Sequence, residues 1–161
     1  MTCVVGLVTE TASFLGADSI SVGDDGLYTI SATPKVKNIR GVLVGFAGSW
    51  RVGQQAFRTI AKMRAISLET FANTFKTDEN DWSLLWIQNG KLYEVGADMS
   101  YIEQKVVKSS AYCSIGTGAS VALGALAVDN TGKKSVLNAL RAAESHIITV
   151  RRPFVVIEQK H

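Results

Sequence analysis

Apolar and polar positions change rhythm along the chain, and the changes mark the elements. TCVVGLVT and SFLGADS are β-rich blocks split by Glu10-Thr11, which predicts a hairpin. SISVGDDGLYTIS predicts a second hairpin turning at Asp25-Gly26, and KVKNIRGVLVGFAG a third turning near Arg40-Gly41. Five or six short strands in succession point to one antiparallel sheet. The period then becomes helical: WRVGQQAFRTIAKMRA carries Val52, Ala56, Ile60 and Met63 on one face. SLETFANTFK predicts a shorter helix capped by Ser67. DWSLLWIQNGKLYEVG returns to strands around Asn89-Gly90, and KVVKSSAYCSIG ends that run. GASVALGALAV, rich in small residues that allow close approach, and SVLNALRAAESH predict two more helices. IITVRRPFVVIEQ predicts two closing strands.

Strands, two helices, strands, two helices, strands is an α+β order, not an alternating βαβ one. Two helix pairs covering two antiparallel sheets make a four-layer αββα sandwich. At 161 residues, with no linker or repeat, residues 1–161 read as one domain.

Composition narrows the function. The chain is 47% apolar and only 19% charged, so it is expected to hide surface against copies of itself. Its net charge of +3 is dispersed, which argues against a nucleic-acid partner. Cys3 and Cys113 lack metal or disulfide-framework spacing, and two histidines are too few for a metal cluster. The absence of a signal-like segment and of a span-length apolar stretch leads to an expectation of no membrane partner and a cytoplasmic location.

Three features read as ordinary structure. Thr131-Gly132-Lys133-Lys134-Ser135 looks like the tail of a phosphate loop, but Ala127 stands where the first glycine is needed and a helix precedes it. A solvated turn into the fourth helix is the better reading. His146 reads as a cation at a helix C-terminus, and Cys113 as a small buried apolar residue.

The start of the chain offers chemistry. A threonine hydroxyl needs a base within hydrogen-bond reach to act as a nucleophile. If Met1 is removed, the free α-amine of Thr2, with an ordinary pKa of about 7.7–8.0, can be that base. A nearby lysine lowers the amine's pKa by like-charge repulsion. An aspartate can hold the lysine, and a glycine N–H can face the developing oxyanion. Thr2, Asp18, Lys35 and Gly48 supply these parts in order.

Read as TCVVGLV, GADS, PKVKNIR and GFAGS, with 16 positions from Thr2 to Asp18, the set resembles the proteasome β subunit family and its bacterial relative HslV. CSIGTGASVALGALA resembles that family's glycine-serine-glycine segment, and AESHIITVRRPFVVIEQ its last helix-to-strand corner. The resemblance implies an N-terminal-nucleophile hydrolase fold. It implies Thr2 as nucleophile and base, Lys35 tuning the amine, Asp18 orienting Lys35, and Gly48 as oxyanion donor. Phe46 is implied to line the specificity pocket and favour apolar or modest side chains. Thr117 takes the place of the family's serine, while His146 and Thr149 stand as supporting positions where the family has aspartate and serine. The aspartate-to-histidine change removes an acceptor, and the loop between Lys35 and Phe46 is shorter than usual.

The implied function is peptide hydrolysis without metal or organic cofactor, in a ring-type, self-compartmentalising homo-oligomer. Unfolded polypeptides are the expected substrates and an ATP-driven unfoldase the expected partner. Two alternatives accompany it: a catalytically inactive scaffold subunit that keeps Met1, and an amidase for a small substrate. Cys3 as nucleophile would sit 15 positions from Asp18, on the opposite strand face.

Overall fold

The computed structural model describes residues 2–23 and 25–161. Met1, whose removal the reading above requires, lies outside the described residues.

The first two blocks form β1 (Val4–Val8) and β2 (Ala12–Asp18), paired antiparallel with Val4 opposite Ala17. β3 (Ile20–Val22) and β4 (Tyr28–Ile30) make the Asp25-Gly26 hairpin, and β5 (Val36–Ile39) and β6 (Val42–Gly48) the one at Arg40-Gly41. After α1 (Trp50–Lys62) and α2 (Leu68–Thr74) come β7 (Trp82–Gln88), β8 (Lys91–Gly96), β9 (Tyr101–Glu103) and β10 (Ala111–Ile115). α3 (Ala119–Val128), α4 (Lys133–His146) and β11 (Phe154–Lys160) complete the order.

The early strands do not share one sheet. β1 and β2 belong to a four-stranded sheet ordered β10-β1-β2-β11, β5 and β6 to a five-stranded sheet ordered β5-β6-β7-β8-β9, and β3-β4 stand apart. The physical reason is that both faces of β1 and β2 are buried. They form the middle of their own sheet, and the next hairpin must leave it. Ile147–Val150 is a turn, closed by the Val150 N–H on the Ile147 carbonyl, so only one closing strand follows α4. β9, exposed throughout, lacked any apolar alternation to announce it.

Three apolar layers hold the sandwich. Val4, Leu15, Leu43, Leu85 and Leu92 fill the space between the two large sheets. Phe46, Phe57, Phe71 and Trp86 lie between the five-stranded sheet and α1/α2. Leu7, Phe14, Leu126 and Leu140 lie under α3/α4. The αββα order expected from the sequence follows. Helix ends are set by local chemistry: the Ser49 hydroxyl accepts the Val52 N–H, and the Ser67 hydroxyl accepts that of Thr70. Ser135 Oγ accepts the N–H groups of Thr131 and Gly132 while donating to Asp129, so the TGKKS segment is a helix start with both lysines exposed.

Candidate active site

The site gathers where β1 begins, β2 ends and β6 runs into α1. Asp18, the last residue of β2, is fully enclosed, and each of its oxygens has work. Oδ1 accepts the Cys3 N–H at 2.9 Å; Oδ2 accepts the Ile20 N–H at 3.3 Å and Lys35 Nζ at 2.9 Å. One carboxylate therefore ties the residue next to Thr2 to a buried cation. The Lys35 carbonyl accepts the Phe46 N–H, which fixes the lysine against β6. Burial lowers the Lys35 pKa below its ordinary value, and the adjacent Asp18 charge works against that shift.

Thr2 is clamped from the other side. Its nitrogen donates to Thr117 Oγ1 at 3.2 Å, and its carbonyl accepts the Gly118 N–H at 3.3 Å. Thr117 Oγ1 also stands 3.3 Å from the Thr2 carbonyl and 3.4 Å from Thr149 Oγ1. Gly116, at φ +92°, lies so close that a Cβ there would strike the Thr2 carbonyl. Gly48, at φ +117°, has room for no side chain either, since a Cβ would meet the Asp81 carbonyl at 2.7 Å.

Two cavities meet at Thr2 and Gly48. One, about 460 Å³, is lined further by Asn80, Asp81, Trp82, Ala97 and Thr117. The other, about 230 Å³, is lined by Ile20, Val22, Ser49 and Trp50. Ser21 also lines the smaller cavity, so a substrate carbonyl placed over Thr2 would have a pocket of mixed polar and apolar lining on each side.

The structure brings Thr2, Asp18, Lys35, Gly48, Thr117 and Thr149 together. Phe46 is a correction: it is 2% exposed and lines neither cavity. Strand alternation turns its ring into the helix layer, edge-on to Trp50 and Phe57 and against Gly53. It backs the Trp50 wall from behind. His146 is also apart from the site: it is exposed at the end of α4, and among the described residues it has no hydrogen bond or ion pair with the cleft. Cys3 faces away from the cleft, beside Ser114, and burial pushes its thiol up to about 12, which leaves no thiolate to act. Cys113 is buried as expected, its thiol likewise held up at about 12 by burial and by Glu94. Sequence reasoning missed the walls Ile20, Val22, Trp50 and Asp81. Trp50 had a signal, as a tryptophan directly after a helix cap has little core to enter.

No sequence-family model matches the chain, and no curated protein does either. Solved structures do match, over nearly its whole length. HslV from Trypanosoma brucei superposes with TM-score 0.77 at 18% identity, covering 99% of each chain. The chain has the HslV fold. Thiobacillus denitrificans BPH gives 0.79 at 13% identity, over 98% of this chain and 97% of that one. Anbu, the ancestral β-subunit from Yersinia bercovieri, gives 0.71 at 14% identity, over 99% and 81%. At these identities the likeness to HslV is one of architecture. Within it, among the described residues, no cluster of three or more His, Cys, Asp or Glu is placed to hold a metal, and no helix is long and apolar enough to cross a membrane.

Proposed function

We propose that this chain is a threonine-type peptidase subunit of a self-assembling homo-oligomer, with Thr2 as nucleophile once Met1 is removed. The observation that carries the reading is the double engagement of Asp18: the same carboxylate holds Lys35 and the Cys3 N–H beside the two cavities at Thr2.

The chemistry follows from those neighbours. Thr2 Oγ1 attacks the scissile carbonyl carbon as its proton passes to the freed Thr2 amine. The oxyanion of the tetrahedral intermediate faces the Gly48 N–H. Collapse breaks the C–N bond, the amine returns its proton to the leaving nitrogen, and an ester remains on Thr2. Water, deprotonated by the same amine, hydrolyses the ester and regenerates the hydroxyl. In its charged form Lys35 would keep the amine from holding its proton too tightly, and Asp18 keeps Lys35 in place. The Thr117 hydroxyl orients the terminal nitrogen, and Thr149 backs it through Thr117 Oγ1. The pocket of Ile20, Val22 and Trp50, with Ser21 and Ser49 beside them, suits an apolar or modest side chain next to the cleaved bond.

Unfolded polypeptides as substrates, an ATP-driven unfoldase as partner and a cytoplasmic setting belong to the same proposal. BPH was solved in complex with epoxomicin, so that compound is a direct probe of this cleft. The expected results are an intact mass lacking Met1, hydrolysis of short fluorogenic peptides that epoxomicin inhibits, and loss of hydrolysis in Thr2→Ala. A full-length mass with no hydrolysis by the assembled protein overturns the reading in favour of the inactive scaffold, the alternative to which His146 in place of an aspartate points.

A further inference from the structure

The two cavities that meet at Thr2 differ in charge. The smaller has no charged side chain among its residues. The larger, about 460 Å³, has one, that of Asp81, and no lysine, arginine or histidine.

Asp81 stands just ahead of β7, in the segment Asp78-Glu79-Asn80-Asp81. Arg51 takes the Asp78 and Glu79 carboxylates. Asp81 is exposed, and among the described residues its carboxylate has no ion pair and no hydrogen bond. Its backbone is fixed. The Asp81 carbonyl abuts Gly48, and the next residue, Trp82, is buried and pairs with Gly48. The other charges nearby are occupied: Lys35 is sealed against Asp18, and Asp98, beside the cavity residue Ala97, accepts the Ser100 N–H and hydroxyl. The larger cavity thus carries one uncompensated carboxylate beside the small walls of Ala47, Ala97 and Gly116.

The amine sets the direction of a bound substrate. The Thr2 nitrogen donates to Thr117 Oγ1 at 3.2 Å, and Thr117 lines the larger cavity but not the smaller. The leaving nitrogen collects its proton from that amine, so it departs on the Thr117 side. The residue after the cleaved bond therefore enters the larger cavity, and the residue before it the smaller. We propose that Asp81 selects lysine or arginine directly after the cleaved bond. The alkyl stem runs along the small walls while the cation meets the Asp81 carboxylate. An acidic residue there meets like charge. The inference rests on the proposed function and adds to it a preference on the leaving-group side.

The test uses the assembled protein, its loss of Met1 checked by intact mass, and internally quenched peptides. These carry leucine before the cleaved bond and lysine, arginine, norleucine or glutamate after it, with the cut mapped by mass spectrometry. For lysine and arginine, kcat/KM is expected to exceed that for norleucine by about fivefold, the upper end for an ion pair that water reaches. Glutamate is expected to be the poorest. The preference is expected to shrink with added salt, to vanish in Asp81→Asn and to turn towards glutamate in Asp81→Lys. Ratios are read within each variant, so a general loss of folding or activity does not imitate the result. Equal rates for lysine and norleucine in the parent overturn the inference and leave the peptidase reading standing. So does a lysine preference that survives Asp81→Asn. A parallel arm needs no hydrolysis: fluorescence anisotropy of the labelled peptides on Thr2→Ala is expected to show tighter binding of the lysine peptide, lost when Asp81→Asn is added. Equal binding there overturns the inference. That binding difference, with no peptide cleaved by the parent, overturns the peptidase reading and upholds Asp81 as the cation's partner.

Discussion

Two ion pairs of nearly equal length occupy opposite environments. Lys35 meets Asp18 at 2.9 Å with both side chains sealed from water. Arg51, on α1, meets Asp78 at 2.7 Å and Glu79 at 2.8 Å, with its guanidinium side chain 62% exposed. Distance does not tell them apart. Water does: an exposed pair gains little over hydration and is screened by salt, whereas a buried pair must repay the desolvation of both charges through geometry and added hydrogen bonds. Asp18 has those added bonds, from Cys3 and Ile20. An apolar pair would fill that space at lower electrostatic cost, so the charges there are best explained by what they do to Thr2.

Removing one partner of the buried pair breaks the comparison hardest. Lys35→Ala leaves the Asp18 charge enclosed without its cation. It is expected to lower the stability by about 3–5 kcal/mol, read from urea unfolding, and to abolish peptide hydrolysis. Replacing both partners, Lys35→Met with Asp18→Asn, sharpens it. More than half of that lost stability is expected to return, because no bare charge remains and the asparagine oxygen can still accept the Cys3 N–H. Hydrolysis is expected to stay lost. Recovery of activity in the double variant would show the charges to be merely structural.

A smaller effect appears with pH. The Lys35 pKa is lowered in the fold, mainly by burial, so just below the ordinary lysine range the unfolded chain binds more protons than the folded one. Stability therefore rises with pH through that window, while hydrolysis falls as the cation is lost. The rise is read as the difference between the parent and the double variant. That subtraction removes the opposite contribution of Cys3 and Cys113, whose thiols are held up at about 12. Smallest of all is Arg51→Ala. The Asp78 carboxyl lies below its usual range through Arg51, and that of Glu79 through Ser49 first and Arg51 next, yet Arg51 and Asp78 face solvent and Glu79 is only half-buried. The urea midpoint is expected to stay within measurement error, with hydrolysis unchanged.

The layers were legible because their signals are local. Asn89-Gly90 and Asp25-Gly26 announce hairpins, and Val52, Ala56 and Ile60 announce the buried face of α1. Partition into sheets was not legible, because whether β2 is followed in its own sheet by β3 depends on pairing with β11, over a hundred residues away. The pairing of Asp18 with Lys35 near the start of the chain was readable from residue types in order. The cavity walls were not, since facing is set by a strand's phase: Phe46 and Ala47 are neighbours in sequence, and only Ala47 looks into the cleft.

The shared carboxylate has a consequence for anyone who would redesign this site. Because the two oxygens of Asp18 hold the cation, the start of β1 and the entry to β3 at once, these three cannot be adjusted one at a time. Swapping the nucleophile or retuning the lysine is an edit to a single coupled joint, and a library that varies position 35 without position 18 explores mostly broken versions of it.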